Sequence, residues 1–503
     1  MGARVYPAQP VLEGPAGYKV LVNGRQAELN RARVSACPYN RRWPGHQRTE
    51  DQTEVVEFLS METDGPVDIE IEAPEAFERV CVRPLSLGIV PETEGQRIRF
   101  RLEKPAYLTV EPYGRRNALH LFADGAATYD IGEDETVLYF GPGEHDAGMI
   151  ELKSGQTLLI DDGAVVYGCI RAMDAENIRI IGRGILDNSR NRAKILYEVS
   201  AEGNDTAVNN AERLHTVQLE YCTNVEIDGI TIRDSLVYNI RPVGCRNMTI
   251  RNVKIIGCWR YNSDGIDMHN CENVLIENCF LRTFDDSICV KGFDCYYEGD
   301  VEAAVKAAMY RNGKAYDVFR NVLVRGCVIW NDWGKALEIG AETRAEEISD
   351  IVFEDCDVIH VTGPVLDCMN VDYADVHDVV YRNIRVEYDD VVPCPAIQKQ
   401  NNVKYEEIPV DRDYAPPLMC AEVLYHPEYS AGGNRRGRNR RILFENISLT
   451  GRQEPKMVVR GIDEAFGCRE ITVRGLKWNG KPVKELSDRQ LHIGKGCGEI
   501  VVE

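Results

Sequence analysis

The chain has no excess of basic charge: 59 Lys and Arg stand against 80 Asp and Glu, a formal net charge of −21. Without a broad positive surface to neutralise phosphates, a nucleic-acid partner is not expected. The same average argues against a polyanionic ligand unless a local patch overrides it. The one dense patch, Arg435, Arg436, Arg438, Arg440 and Arg441, reads as a solvated loop. No stretch approaches membrane-spanning length, and the opening MGARVYPAQPVLEG lacks the apolar run of a secretory leader, so no membrane partner is expected. The 17 cysteines are odd in number and contain no CxxC pair, which indicates neither a zinc site nor a disulfide framework. Most of them close strand-like runs, as buried small hydrophobes do, and such use of cysteine goes with a reducing, cytoplasmic location.

What is present is strand rhythm. A chain of 503 residues should hold two domains or one long repeat array. Over residues 1–130 the runs Tyr18–Val22, Val67–Ile71, Val80–Val82, Arg97–Leu102 and Tyr107–Val110 alternate with turns, and Val67-Asp68-Ile69-Glu70-Ile71 has the period of a half-buried strand. This predicts a small antiparallel β-sandwich. Within it, the aromatic and basic segment Tyr39–Arg48 reads as a loop that either packs between domains or touches a sugar ring.

Residues 131–503 have a different texture. Asn177-Ile178-Arg179-Ile180 recurs with first residues at Asn224, Asn247, Asn273, Asn321, Asp350, Asp378, Arg441 and Glu470, spaced 47, 23, 26, 48, 29, 28, 63 and 29 residues apart. A repeat of about 20–30 residues made of short strands, with no helix between them, predicts a parallel β-helix. Each coil is too small to bury its own apolar face, so coils stack about 4.8 Å apart and bury Ile, Val and Leu in columns. Asn or Asp at a fixed corner tolerates left-handed backbone and forms ladders easily. Insertions near 293–316 and 389–440 interrupt the stack and are expected to wall a cleft.

The stretch Tyr261–Gly292 concentrates carboxylates in this rhythm. Asp264 and Asp267 share one turn, and the adjacent Asp285 and Asp286 follow 21 residues after Asp264, about one coil later. On stacked strands these side chains project to one face, within roughly 10 Å. Crowded carboxylates raise the pKa of one member and so supply an acid beside a base, which glycosidic hydrolysis requires. A lone Asp at such a corner would more simply cap a turn; four across two coils favour a site. Weaker candidates for substrate contact are His269, Lys291, Trp333, Lys335 and Glu338, together with Asp267.

The segment Asn262-Ser263-Asp264-Gly265-Ile266-Asp267, followed by Asp285-Asp286-Ser287-Ile288-Cys289-Val290-Lys291, resembles the NTDGxD and DD signatures of glycoside hydrolase family 28, the polygalacturonase-like right-handed β-helix enzymes. The likeness covers roughly residues 135–475. It is shared with the related dextranase and isopullulanase group, which adds an N-terminal β-sandwich. The resemblance implies an oligosaccharide or polysaccharide substrate, no cofactor, and inversion of configuration. It makes Asp285 the general acid and Asp264 with Asp286 the holders of the attacking water, the choice within the Asp285–Asp286 pair being the one left open. Two family elements are missing: Gly334-Lys335-Ala336 stands where Gly-His-Gly is expected, and no Arg-Ile-Lys occurs near Leu366–Asp375, where Asp367 and Asp372 fall instead. A neutral glycan is therefore expected, or a uronate held by Lys291, Lys335 or Arg344. A lyase or epimerase, an intramolecular transglycosylase and a non-catalytic glycan-binding β-helix remain as rivals on the same fold. Nothing in the pattern assigns an oligomeric state.

Overall fold

The computed structural model describes residues 2–9, 12, 14, 17–36, 52–130, 136–194, 215–260, 262–293, 306–388, 414–426, 429–430 and 435–503. The loop Tyr39–Arg48 lies outside them, as do most of the two expected insertions and Tyr261.

Two sheets fill the N-terminal part. Lys19–Val22, Arg25–Ala27, Val67–Glu72, Glu92–Glu94 and Arg97–Leu102 make an antiparallel five-stranded sheet. Arg4–Val5, Asn30–Ser35, Thr53–Thr63, Cys81–Arg83, Ala106–Arg115 and Leu119–Gly125 make a six-stranded one. The alternation predicts these strands because their apolar residues face one core: Val20, Ile69, Ile71 and Phe100 of one sheet meet Leu59, Leu108 and Leu121 of the other. One pairing departs from the antiparallel expectation, Leu119–Gly125 running parallel to Thr53–Thr63.

From Thr136 onward the strands wind as a right-handed β-helix and pair in parallel, apart from two short hairpins at Tyr310–Ala315 and Lys477–Pro482. Each coil gives one strand to a 12-stranded sheet and one to three to a 21-stranded sheet. Inside, Ile178, Val225, Met248, Val274, Val322 and Ile351 stand in register from coil to coil and are buried. Each such side chain contributes about 1.5–3 kcal/mol of burial. The repeat's first residue is the corner. All nine, from Asn177 to Glu470, have φ between 53° and 59°, and Asn177, Asn224, Asn247, Asn273 and Asn321 join through amide hydrogen bonds of 2.7–3.1 Å. Asparagine fits because its short amide tolerates left-handed backbone and offers both a donor and an acceptor to the coils above and below.

The arginine run differs from its expectation. Arg438, Arg440 and Arg441 lie in the strand Arg438–Glu445, pairing across coils with Asp375 and Asp378. Opposite charges one coil apart neutralise what looks in sequence like a solvated patch. Residues 306–309 form a single helical turn, and among the described residues no helix is long and apolar enough to cross a membrane.

The six-stranded sheet seats on the flank of the β-helix. Ala32, Val34, Val56, Phe58, Tyr107 and Phe122 bury against Val165, Ile185, Phe280, Val328 and Trp330. Beside this apolar contact, Lys254 meets Asp124 at 3.1 Å, a buried pair.

Candidate active site

Strand register builds the site. Along the outer face of the 21-stranded sheet, Asp267, Cys289, Glu338, Asp367 and Cys420 stand one above another. The intervening residues, Ile266, Ile288, Leu337, Leu366 and Met419, point into the core. Period-two alternation on successive coils therefore stacks polar groups on one side with no local peculiarity. Asp264 and the Asp285–Asp286 pair occupy the turns that enter two of these strands. The Gly265 N–H donates to the Asp286 carbonyl at 2.8 Å, and the Ser287 N–H to the Lys335 carbonyl at 2.8 Å, which places Asp264, Asp286 and Lys335 on consecutive coils.

Asp264, Asp285 and Asp286 each bring an oxygen within 4.8 Å of the other two. Lys291 closes the group. Its ammonium lies 2.8 Å from Asp267, 3.4 Å from Asp264, 3.6 Å from Asp286 and 3.7 Å from Glu342. Burial disfavours that charge, but Asp267 and Glu342 outweigh it and hold the Lys291 pKa well above its ordinary value. Lys291 thus sets a positive charge against Asp264 and Asp286, two of the three clustered carboxylates.

The three central carboxylates divide. Burial, with Asp286 adding to it, lifts Asp285 well above the usual carboxylate range against the pull of Lys291. Burial followed by Asp267 and Asp285 does the same to Asp264. For Asp286 burial pushes upward too, but Lys291 and Lys335 outweigh it, helped by hydrogen bonds from Glu338 and the Lys335 N–H, so this carboxyl sits below its ordinary value. Asp286 is also the most open of the three, its side chain 15% exposed against 2% for Asp264. The outcome is a carboxyl that holds its proton more tightly than usual beside one that holds it less tightly, their oxygens within 4.8 Å.

A second polar group continues up the column. The Lys335 ammonium bonds to Glu338 and lies 3.4 Å from Asp367. Burial, then the adjacent Asp286, pushes Glu338 well up; burial lifts Asp367 to about 6, with Lys335 opposing. The Cys289 thiol faces Glu338 at 3.2 Å.

Of the residues singled out in the sequence, Asp264, Asp267, Asp285, Asp286, Lys291, Lys335 and Glu338 converge. His269 follows Asp267 on the same outer face, in register with Lys291, with Nδ1 3.0 Å from the Gly292 carbonyl. Trp333 stacks on Phe284 at 5.9 Å. Arg344, a candidate for holding a uronate, is paired to Asp372 at 2.8 Å. Sequence reasoning missed three residues. Glu342 and Tyr238 both face Lys291, the Tyr238 ring centroid lying 5.2 Å from its ammonium. Asn331 donates through Nδ2 to the Asp285 carbonyl at 2.6 Å. Counting coils back from Ile266 to Ile240 marks Tyr238, and counting forward from Thr283 marks Asn331; Glu342 carries no comparable signal.

The glycosyl hydrolases family 28 profile matches residues 161–484. A probable polygalacturonase of Vitis vinifera is 35% identical over 86 residues, 17% of this chain and 18% of that protein. A polygalacturonase of Gossypium barbadense is 26% identical over 213 residues, 39% of this chain and 49% of that protein. The chain therefore spans about half the length, or less, of these curated relatives. Dex49A from Penicillium minioluteum shares the fold over almost the whole length, with TM-score 0.56, 13% identity, and coverage of 97% of this chain and 94% of that one. The family match runs through the repeat coils and takes in the turns bearing Asp264, Asp285 and Asp286, and on it the chain belongs to glycosyl hydrolase family 28.

Proposed function

We propose that the chain hydrolyses glycosidic bonds of an oligosaccharide or polysaccharide by acid/base catalysis, with Asp285 as the acid. The observation that carries this is the clustering of Asp264, Asp285 and Asp286 within 4.8 Å, where burial and Asp286 raise the Asp285 pKa while Lys291 and Lys335 lower that of Asp286. In the reaction Asp285 gives its proton to the glycosidic oxygen as the bond from that oxygen to the anomeric carbon breaks. Water held by Asp286 and Asp264 forms the new bond to that carbon, and Asp286 takes the water's proton. Lys291 keeps the carboxylates together through the charge rearrangement.

We read the substrate as a neutral glycan. The cations that could hold a uronate carboxylate, Lys291, Lys335 and Arg344, are each already engaged by Asp or Glu. The surrounding acidic groups would repel a second anion, a discrimination by unfavourable charge. A panel of neutral and uronic-acid oligosaccharides, assayed for new reducing ends with wild type and Asp285→Asn, tests both points. Release from neutral glycans by wild type alone is expected. Equal release by Asp285→Asn overturns the assignment of the acid, and selective cleavage of uronides overturns the substrate class.

The cellular site of action is read as the cytoplasm. The core thiols of Cys222, Cys245 and Cys271 follow one another within hydrogen-bonding reach, an arrangement suited to a reducing compartment. Fractionation of cells carrying the tagged full-length protein, with recovery in the periplasmic or extracellular fraction, would count against it.

A further inference from the structure

The N-terminal sandwich touches the β-helix beside the turns that carry Lys335 and the Asp285–Asp286 pair. Arg115, the last residue of the strand Ala106–Arg115, donates to Asp332 Oδ1 at 2.5 Å across 217 positions of chain. Asp332 is buried, and the same oxygen accepts the Trp330 indole N–H at 2.9 Å. From Asp332 the chain turns through Trp333 and Gly334 to Lys335. The Gly334 Cα lies so close to the neighbouring turn that an added Cβ would stand 2.4 Å from the Asp286 nitrogen and 2.5 Å from the Asp285 carbonyl carbon. The next N–H, that of Lys335, donates to Asp286 Oδ1 at 3.0 Å.

The second turn is held from the same side. Arg282, three residues before Asp285, is buried with its guanidinium 3.9 Å above the Trp330 ring, and donates to Nε2 of the sandwich residue His120 at 2.9 Å. Asn331, next to Asp332, then joins the turns through Nδ2, donating to the Asp285 carbonyl at 2.6 Å and to Ser287 Oγ at 3.1 Å.

We infer that Arg115 and Asp332 are positioning residues, through which the sandwich fixes the turn 331–335 against Asp285 and Asp286 and so sets the spacing of acid and base. The inference rests on the proposed hydrolytic reading of the same site. A part-buried ion pair is weak evidence for stability in itself, but Asp332 lies two residues before Gly334, where the backbone approaches the catalytic pair closely, and this gives it leverage. A displacement of about 1 Å at such a point costs on the order of 100-fold in rate.

The test uses the full chain and the glycan found by the panel above, with kcat, KM and melting temperature measured for Arg115→Ala, Arg115→Lys, Asp332→Asn and Lys254→Met. Lys254→Met breaks a buried pair at the same interface, with Asp124, that does not reach the catalytic turns. Arg115→Ala and Asp332→Asn are expected to lower kcat roughly 10–100-fold while KM stays within about twofold, the sign of an interaction that matters in the transition state. Arg115→Lys should recover most of the loss, and Lys254→Met should lower the melting temperature with kcat unchanged. If Arg115→Ala does not fold, Asp332→Asn and Arg115→Lys carry the same comparison. Wild-type kcat in folded Asp332→Asn overturns the inference, as does an equal kcat loss in Lys254→Met. Neither result touches the hydrolytic reading, which falls instead if wild type releases no new reducing ends from any glycan of the panel.

Discussion

The main-chain N–H of Lys335 donates to Asp286 Oδ1 at 3.0 Å, while its ammonium turns away to Glu338 and to Asp367, 3.4 Å distant. One residue thus stabilises the ionised form of the base with its backbone and neutralises the acidic wall above it with its side chain. Lys335 stands where the family's histidine is expected, and its two contacts separate two roles that can be tested one at a time.

Replacing Asp285 by Asn should abolish proton donation and lower kcat by about 10²–10⁴-fold without lowering the melting temperature, because a crowded carboxyl is removed. Asp286→Asn and Asp264→Asn should be similarly inactive. Reducing-end assays beside thermal melts check this, and an Asp285→Asn enzyme of full activity would remove the acid from the mechanism.

The pH–rate profile should be bell-shaped, its acidic limb reporting Asp286 and its basic limb Asp285. Lys335→Met takes away a positive neighbour that holds Asp286 down, so the acidic limb should move to higher pH while the backbone hydrogen bond remains. A kcat/KM profile of the two proteins measures it; an unmoved limb would assign that limb to another group.

Asp367 makes stability depend on pH in a stated direction. Its carboxyl is raised from 3.8 to about 6, chiefly by burial, so the folded state binds the proton more tightly than the unfolded one. This contribution is fully present below about pH 3.8 and is lost as pH rises through about 6. Asp367→Asn should therefore be relatively more stable than wild type at pH 7 than at pH 4, by about 1–3 kcal/mol, in urea melts at the two pH values. A constant difference would contradict the linkage.

Inversion at the anomeric carbon is the expected stereochemistry, although the oxygens of Asp264, Asp285 and Asp286 lie within 4.8 Å of one another. Acid and base in an inverting pair usually stand about 6.5–9.5 Å apart. Here two carboxyls flank one acid, so water can be held by the pair without being placed between acid and base. Proton NMR of the first-formed anomer decides, and retention would reassign Asp264 or Asp286 as a nucleophile.

At the Asn ladder, Asn247→Val should destabilise by roughly 1–2 kcal/mol, since a β-branched side chain is strained at φ 55°. Asn247→Gly should lose much less. Paired chemical denaturation curves give the comparison.

The β-helix was legible because its repeat is physical: Ile178, Val225 and Met248 recur at one register since a coil has only one way to bury them. The corner residues were legible for the same reason, left-handed backbone selecting Asn and Asp. Asp264, Asp285 and Asp286 could be placed on adjacent coils by counting 21 residues. Glu342 could not, because it reaches the site from outside any strand; Asn331 ends the strand Val328–Asn331, but its bond to the Asp285 carbonyl is made by a side chain whose path register does not dictate. The pairing of Arg115 with Asp332 joins segments 217 positions apart, and nothing local in either announces the other. Arg438–Arg441 misled because composition shows charge but not the Asp375 and Asp378 one coil away.

The column Asp267, Cys289, Glu338 and Asp367 has a consequence for how such a chain can change. Heights along it come only in whole coils, so the separation between polar groups is quantised. Inserting or deleting a single residue within one of these strands would turn the rest of that strand's side chains from the cleft to the core, whereas the turns, which differ in length from coil to coil, absorb such a change. Duplicating a complete coil outside the interval from Asp267 to Glu338 would lengthen the groove by one step and leave the reacting groups where they stand. The enzyme can thus be extended by the coil, but its strands cannot be adjusted by the residue.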